Sequence, residues 1–286
     1  MFEKIRKLVL VSRPVSWLNT AYPFGAAFLV TGGEVGLFFW LAVAYFLIPY
    51  NLLMYGINDV FDYESDIRNP RKGGIEGAKE QKSLHPVILT AAIGMNVPFV
   101  VYLLTQGSIV SGAILGIVLF FVVAYSVGGL RFKEIPVLDS ITSSMHFVGP
   151  MVYALSLTGL SLEYIPFLIA FFLWGIASHA FGAVQDIIPD REGKLASIAT
   201  VFGARRTVWL VFVLYITASI VLIAQGLLAA IVGLAGLLYV ANVAPYLRVT
   251  DESSAKTNHG WRRFIWLNLA TGFIVTMTLI VYIATA

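Results

Sequence analysis

Long apolar runs alternate with short polar segments along the whole chain, and this pattern predicts a bundle of membrane-spanning helices. Each run is roughly 20 residues long, which suits a hydrocarbon core of about 30 Å. We predict nine spans, at residues 14–31, 36–57, 84–104, 108–127, 139–158, 162–182, 205–224, 227–246 and 262–284. The chain is therefore predicted to be an all-α integral membrane protein with nine transmembrane helices, forming a single domain over residues 1–286.

Composition supports the membrane class and removes several others. The chain is 58% hydrophobic and 12% charged, with a mean hydropathy of +0.83, whereas a soluble domain has about 25% charged residues. Cysteine is absent, so a disulfide framework, a thiolate nucleophile and a cysteine metal site are excluded. The first apolar run is followed by others of its kind, so we expect no cleavable signal peptide. We expect the lipid bilayer, and no nucleic acid, as a partner.

The basic residues predict the orientation. With nine spans, all 19 lysines and arginines fall on one side, while the opposite loops carry only Glu34 and Glu163. Because basic loops stay in the cytoplasm, we predict a multi-pass protein of the cell membrane with a cytoplasmic N-terminus.

An acidic cluster follows the second span. Asp59, Asp62 and Asp66 are spaced i, i+3 and i+7, so a helix places them on one face. Three such carboxylates repel one another unless a cation lies among them. Mg²⁺ takes oxygen ligands and usually binds through one or two carboxylates plus substrate phosphates. The alternative is that these are solvated loop charges.

A second acidic pair, Asp186 and Asp190, follows the sixth span at i, i+4. Pro189 lies between them and favours a kink or break there. In the predicted topology both clusters lie at cytoplasmic helix ends among basic residues. Together they indicate a metal–diphosphate site at the cytoplasmic mouth of the bundle.

Several polar or aromatic side chains inside or next to the spans are pocket candidates. Such groups usually face the bundle interior. The candidates are Asn19, Tyr22, Asn51, Tyr55, Tyr125, Trp174 and His179. A helix–helix hydrogen bond is the alternative for Asn51, a buried hydrogen-bonded ring for His179, and core packing for the aromatic side chains. Arg13, before the first span, could either reach the lipid headgroups or contact substrate.

These features resemble the UbiA superfamily of membrane prenyltransferases, and the paired aspartate motifs of a nine-span chain carry the resemblance. It implies a UbiA-like helical bundle around a cavity. It also implies that Asp59, Asp62, Asp186 and Asp190 are catalytic and hold two Mg²⁺ ions on a prenyl diphosphate, with Asp66 as a further metal ligand. The diphosphate-binding residues that it implies are Asn58, Arg68, Arg71, Lys72, Lys133, Arg191 and Lys194.

Within the superfamily, three segments look like lycopene elongases of C50 carotenoid biosynthesis. They are residues 12–25, residues 51–57 and residues 68–74. This resemblance implies transfer of a dimethylallyl or other prenyl group from its diphosphate to a lipophilic acceptor such as lycopene. A prenyltransferase acting on an aromatic acid or a lipid headgroup would share every motif. A transporter is the remote alternative, since transporters also place carboxylates in membrane helices.

Overall fold

The computed structural model describes residues 2–68 and 81–285. Within these ranges the regular structure is entirely helical. The chain divides into two compact units, and each is described by itself. The first unit comprises Met1–Phe132 and His146–Leu160, and the second comprises Lys133–Met145 and Ser161–Ala286.

The first unit holds seven complete helices and the later part of an eighth. They are α1 (Phe2–Val11), α2 (Trp17–Val30), α3 (Leu37–Leu47), α4 (Pro49–Phe61), α5 (Tyr63–Arg68), α6 (His85–Gln106), α7 (Ile109–Ser126) and α8 (Leu138–Thr158). Helix α4 packs against α3, α6 and α7. The buried aromatic core of the first unit includes Phe24, Phe46, Tyr50 and Tyr153, and the centres of neighbouring rings lie 5.1–6.1 Å apart. This core holds α4, at whose end the first acidic cluster begins, in position.

The second unit begins with the first residues of α8 and continues through six further helices. They are α9 (Ile165–Val184), α10 (Ile187–Glu192), α11 (Ile198–Phe202), α12 (Ala204–Ile223), α13 (Leu227–Val243) and α14 (Asn258–Thr285). Helix α12 packs against both α9 and α13. The core between them is built from small and aromatic side chains, among them Ala177, Phe181, Tyr215 and Tyr239.

Each of the nine predicted spans overlaps a helix or a pair of helices, but the count of nine is not confirmed. Seven helices of the described chain are long and apolar enough to cross a membrane. The two predicted spans outside that set correspond to α2 and α8. Helix α2 has only 14 residues, which gives about 21 Å of helix at about 1.5 Å per residue. Helix α8 has 21 residues but carries Asp139, Ser140 and His146 among other polar groups.

The second predicted span is not one continuous helix, because the chain breaks between α3 and α4. Pro49 is the first residue of α4, a position where a missing N–H costs nothing and the fixed φ suits a helix start. The break is closed by side chains: Asn96 of α6 donates to the Pro49 carbonyl (2.7 Å), and Thr20 of α2 donates to the Phe46 carbonyl (2.7 Å). The two helices therefore still form one span of 25 residues, Leu37–Phe61.

Candidate functional site

The first acidic cluster lies where α4 ends. Asp62 is the residue between α4 and α5, yet helical hydrogen bonding continues through it. Its N–H donates to the Asn58 carbonyl (2.9 Å), and the Asp66 N–H donates to the Asp62 carbonyl (2.8 Å). Asp59, Asp62 and Asp66 are only 4%, 4% and 8% exposed. Three carboxylates are thus buried within two turns of chain, which is costly unless positive charge compensates them.

Two guanidinium groups supply part of that charge. Arg13 Nη2 lies 2.6 Å from Asp59 Oδ1, and the Arg13 side chain stacks over the Tyr55 ring at 4.2 Å. Arg131 Nη2 lies 3.6 Å from Asp62 Oδ1. Arg13 was predicted either to reach the lipid headgroups or to contact substrate. The structure instead gives it an ion pair with the acidic cluster.

Both arginines have left-handed backbone conformations, with φ of 51° for Arg13 and 41° for Arg131. This conformation brings Cβ close to the following carbonyl oxygen and costs roughly 1–2 kcal/mol per residue. Strain of this kind persists where the surrounding contacts enforce it, and it is frequent at functional sites. Here it accompanies the two side chains whose cationic groups lie beside the aspartates.

Asn58 and Asn51 have different roles, although both lie on α4. Asn58 Nδ2 donates to Asp62 Oδ2 (2.7 Å) and to Ser126 Oγ of α7 (3.0 Å), so it fixes the orientation of a carboxylate. Asn51 is fully buried and donates to Thr20 Oγ1 (2.6 Å) and to the Phe46 carbonyl (2.9 Å). Asn51 therefore joins helices, which is the alternative that the sequence analysis gave for it.

The second acidic pair lies on the short helix α10. Helix α9 ends at Val184 and Asp186 precedes the first residue of α10, so the chain breaks before Pro189 and not at it. Pro189 is in the first turn of α10, where a proline is tolerated because the N–H groups there have no helical acceptor. The Asp190 N–H donates to the Asp186 carbonyl (2.9 Å). The i, i+4 relation therefore survives, with both residues half-buried.

Arg191, a predicted phosphate ligand, is engaged within the second unit. Its guanidinium donates to the Thr200 carbonyl (2.8 Å) and to Asp251 Oδ2 (2.6 Å). Asp251 also accepts from the Ala204 N–H (2.6 Å) at the start of α12. The Ala204 N–H and the Arg191 guanidinium hold the pKa of Asp251 below its ordinary value. Arg191 thus ties α10 to the loop before α14, and its phosphate role stays a prediction.

The other predicted residues fall into three groups. Arg71 and Lys72 lie outside the described residues, as does the side chain of Arg68. Lys194 is exposed, with φ of 56°. The half-buried candidates are Lys133, Asn19, Tyr22, Tyr55, Tyr125, Trp174 and His179. Of these, Trp174 stacks on Phe171 and Phe264 at 5.6 and 5.7 Å, which is the core packing given as the alternative.

Arg131 and Asp139 were not among the predicted site residues. Arg131 was counted only as a basic loop residue, although it directly follows two glycines that allow a tight turn. Asp139 is fully buried in α8 and accepts from the Ser140 N–H (2.7 Å) and the Ile198 N–H (2.8 Å). A lone carboxylate near the start of a predicted span was the available signal for Asp139, since such groups are expensive in a membrane.

The donor chemistry fits a hard divalent cation. The first cluster offers only carboxylate oxygens, and Asn58 adds an amide beside them. No three acidic or histidine side chains within residues 2–68 and 81–285 form a ready-made metal site. Mg²⁺ keeps waters and uses one or two carboxylates plus substrate phosphates, so two carboxylates of the first cluster together with substrate oxygens would be enough to hold it.

Comparison with known proteins identifies relatives over nearly the whole chain. The family described as "UbiA prenyltransferase family" matches residues 20–284. The chain is 49% identical over 282 residues to a lycopene elongase/hydratase of Corynebacterium glutamicum, covering 98% of each chain. It is 51% identical over 268 residues to a C50 β-cyclic carotenoids biosynthesis protein of Dietzia sp., covering 93% of this chain and 62% of that protein.

Solved structures show the same fold. A UbiA homologue from Archaeoglobus fulgidus bound to GPP and Mg²⁺ has a TM-score of 0.67 at 17% identity, covering 94% of this chain and 99% of that one. The structure of a UbiA homologue from the same organism bound to DMAPP and Mg²⁺ has a TM-score of 0.65 at 17% identity with the same coverage. The helical architecture is therefore that of the UbiA fold.

Proposed function

Because the chain belongs to the UbiA prenyltransferase family, we propose that it transfers a dimethylallyl group from dimethylallyl diphosphate to lycopene in C50 carotenoid biosynthesis. The observation that carries this proposal is the near full-length similarity to the lycopene elongase/hydratase of Corynebacterium glutamicum. The chain is a multi-pass membrane prenyltransferase. We place it in the cell membrane with its acidic clusters in the cytoplasm, where Mg²⁺ and soluble diphosphates are found.

We assign diphosphate binding to the two acidic clusters through Mg²⁺, with two ions as the proposed number. Asp59 and Asp62 would hold one ion, with Asp66 in support, and Asp186 and Asp190 would hold the other. Bound Mg²⁺ would stabilise the negative charge on the departing diphosphate. The buried state of the first three carboxylates supports this assignment, because they are positioned before any substrate arrives.

The chain's own cations complete the leaving-group site. Arg131 already lies beside Asp62, and a guanidinium can donate two parallel hydrogen bonds to phosphate oxygens. Asn58 keeps Asp62 oriented. The remaining proposed phosphate ligands are Arg68, Arg71, Lys72, Lys133, Arg191 and Lys194. Positioned positive charge in a water-poor site favours ionisation of the allylic diphosphate, since it acts where negative charge develops.

The reaction is completed when the acceptor forms a bond to the cation that the donor leaves. The electron-rich terminal double bond of lycopene attacks the dimethylallyl cation, which forms a carbon–carbon bond and leaves a tertiary cation on the acceptor. That cation then loses a proton or takes up water. A water-poor pocket is required so that the first cation is not quenched, and aromatic faces can stabilise it by roughly 0.5–2 kcal/mol each. Tyr22, Tyr55 and Tyr125 are the proposed aromatic lining.

The second candidate is transfer to an aromatic acid or a lipid headgroup, because such enzymes share the aspartate motifs. An aromatic acid is anionic and would require a dedicated cation. Lycopene carries no charge and needs only a long apolar groove. Diphosphate binding, internal ion pairs and topology account for the basic residues, so none is left that demands an acidic acceptor.

Paired assays decide between these acceptors. Purified protein in lipid is incubated with dimethylallyl diphosphate and either lycopene or a hydroxybenzoate, and the product masses are measured by mass spectrometry. We expect lycopene to gain one or two five-carbon units and the hydroxybenzoate to stay unchanged. A chelator should stop the reaction and added Mg²⁺ should restore it. Prenylated hydroxybenzoate beside unchanged lycopene would refute the proposed acceptor and leave the family assignment intact.

A further inference from the structure

A polar group of three residues, Asp139, Ser140 and His179, lies where the first residues of α8 meet α9. The side-chain oxygen of Ser140 is 3.0 Å from His179 Nδ1. Asp139, which is fully buried, accepts from the Ser140 N–H and from the Ile198 N–H. The Asp139 carboxylate also interacts electrostatically with the His179 ring. All three residues belong to the second unit.

The contact between α8 and α9 is held rigidly one turn away from this group. Ser144 Oγ donates to the Phe172 carbonyl (2.8 Å). Gly175 allows this approach, because a Cβ at that position would collide with Ser144. Small residues at a crossing let two membrane helices approach closely. This close crossing brings Ser140 of α8 within hydrogen-bond distance of the His179 ring of α9.

We propose that His179 is the residue that accepts the proton when the elongated product cation loses it from carbon and forms a C=C bond. This assignment rests on the function proposed above. In the proposed tautomer of His179, Nδ1–H donates to Ser140 Oγ, so the lone pair that accepts the proton is on Nε2. Ser140 and Asp139 are positioning residues: the hydroxyl selects the tautomer, and the carboxylate stabilises the positive charge that the ring gains.

The distance from the metal-binding aspartate suits this role. His179 lies five residues before the end of α9 at Val184, which is about 8 Å along the helix at about 1.5 Å per residue, and Asp186 follows two residues after that end. A carboxylate–Mg²⁺–oxygen link spans about 4 Å, since each Mg²⁺–oxygen distance is about 2.0–2.1 Å. A donor held by Asp186 through Mg²⁺ would place its phosphate at this end of α9 and its first carbon atoms further along the helix, toward His179. The newly formed tertiary cation is therefore expected beyond the diphosphate, at the depth of His179.

The proton transfer is balanced without any further reactant. A C–H bond next to the cationic carbon breaks, its electron pair forms the new C=C bond, and the proton goes to Nε2. If water adds to the cationic carbon instead, the oxonium O–H bond breaks and its proton goes to another water molecule, so His179 promotes only the loss of a proton from carbon. That route ends in an imidazolium, which returns its proton to solvent before the next turnover.

His179→Ala tests the assignment through the product ratio. The product that has lost a proton and the product that has gained water differ in mass by one water molecule. A positioned general base contributes typically about 10²–10⁴-fold to rate. We therefore expect the ratio of these products to shift at least about tenfold in the variant, with diphosphate release retained. Added imidazole should return the ratio toward the wild-type value, which a purely structural role would not allow.

His146→Ala is the matched control, since His146 is the other histidine of α8 and α9. It is 3% exposed, with Nε2 3.3 Å from the Phe121 carbonyl. Its removal should leave the product ratio unchanged and insensitive to imidazole. Ser140→Ala keeps the imidazole but removes its Nδ1 partner, so we expect a smaller shift in the same direction. This variant also serves as the test if His179→Ala does not fold.

The failure of this assignment can be told from the failure of the proposed function. An unchanged product ratio in His179→Ala, or in Ser140→Ala where the first variant does not fold, would overturn the assignment of His179 while the wild-type enzyme still elongates lycopene. A shifted ratio that imidazole does not restore would also overturn it. A wild-type enzyme that does not elongate lycopene would overturn the proposed acceptor and this assignment together.

Discussion

Replacing Arg13 with glutamine should destabilise the protein and at the same time increase its affinity for Mg²⁺. Arg13 and Asp59 form an ion pair at 2.6 Å, in which their side chains are 16% and 2% exposed. Glutamine keeps much of the length of the side chain and removes its charge. The substitution leaves a buried carboxylate without its nearest cation, because the Arg13 guanidinium is the group bonded to Asp59 Oδ1.

The size of the effect follows from burial. Removing one partner of a buried ion pair costs about 3–5 kcal/mol, since the other charge stays buried. The Arg13 side chain retains some exposure, so we take the lower end, about 3 kcal/mol. At about 2–4 °C per kcal/mol for chains of 150–250 residues, the unfolding temperature should fall on the order of 10 °C. A divalent cation that binds Asp59 no longer competes with Arg13, so its affinity should rise at least about tenfold, which corresponds to about 1.4 kcal/mol.

Thermal unfolding in detergent, measured over a series of Mg²⁺ concentrations, gives both the change in unfolding temperature and the change in Mg²⁺ affinity. Ligand binding to the folded state raises stability by RT ln(1 + [L]/Kd), so the midpoint of the Mg²⁺ series reports affinity. Lys82→Gln is the matched control, because its ion pair with Glu64 (2.5 Å) is 66% and 69% exposed and solvent screening leaves such a pair with little effect on stability. If Mg²⁺ stabilised Arg13→Gln no more tightly than the wild type, Asp59 would not be part of a cation site.

Two further predictions concern the acidic residues. Diphosphate release should fall at least about 100-fold in folded Asp59→Asn, Asp62→Asn or Asp186→Asn protein. The control variant Glu64→Gln should retain activity. Full activity in all three asparagine variants would rule out the metal site. Because the pKa of Asp251 is lowered from its ordinary value near 3.8, its stabilising contribution is present above that value and is lost as pH falls through the lowered pKa. Below about pH 4 the unfolding temperature of the wild type should therefore fall more steeply than that of Asp251→Asn, and parallel curves would show that the Asp251 contacts add no stability.

The sequence was informative where local spacing decides geometry. The i, i+3, i+7 spacing of Asp59, Asp62 and Asp66 corresponds to three buried carboxylates because helical hydrogen bonding continues through the end of α4. Hydropathy located the helices for a similar reason, since a membrane requires a minimum length of apolar chain. Proline was harder to interpret. Pro49 begins a helix inside one predicted span, and Pro189 lies in a helical turn where a break was expected.

The partners of those carboxylates could not be predicted, because they come from distant parts of the chain. Arg13 precedes Asp59 by 46 residues, and Arg131 follows Asp62 by 69 residues, so no local pattern links either pair. Both arginines resemble ordinary anchoring charges in the sequence, since basic residues are abundant at cytoplasmic helix ends. Lys194 shares their left-handed backbone, but the ion pairs of Arg13 and Arg131 with buried aspartates are visible only in the structure. Two cations held in this way compensate part of the negative charge of the cluster, which lowers the cost of burying three carboxylates together in the folded protein before any metal ion binds.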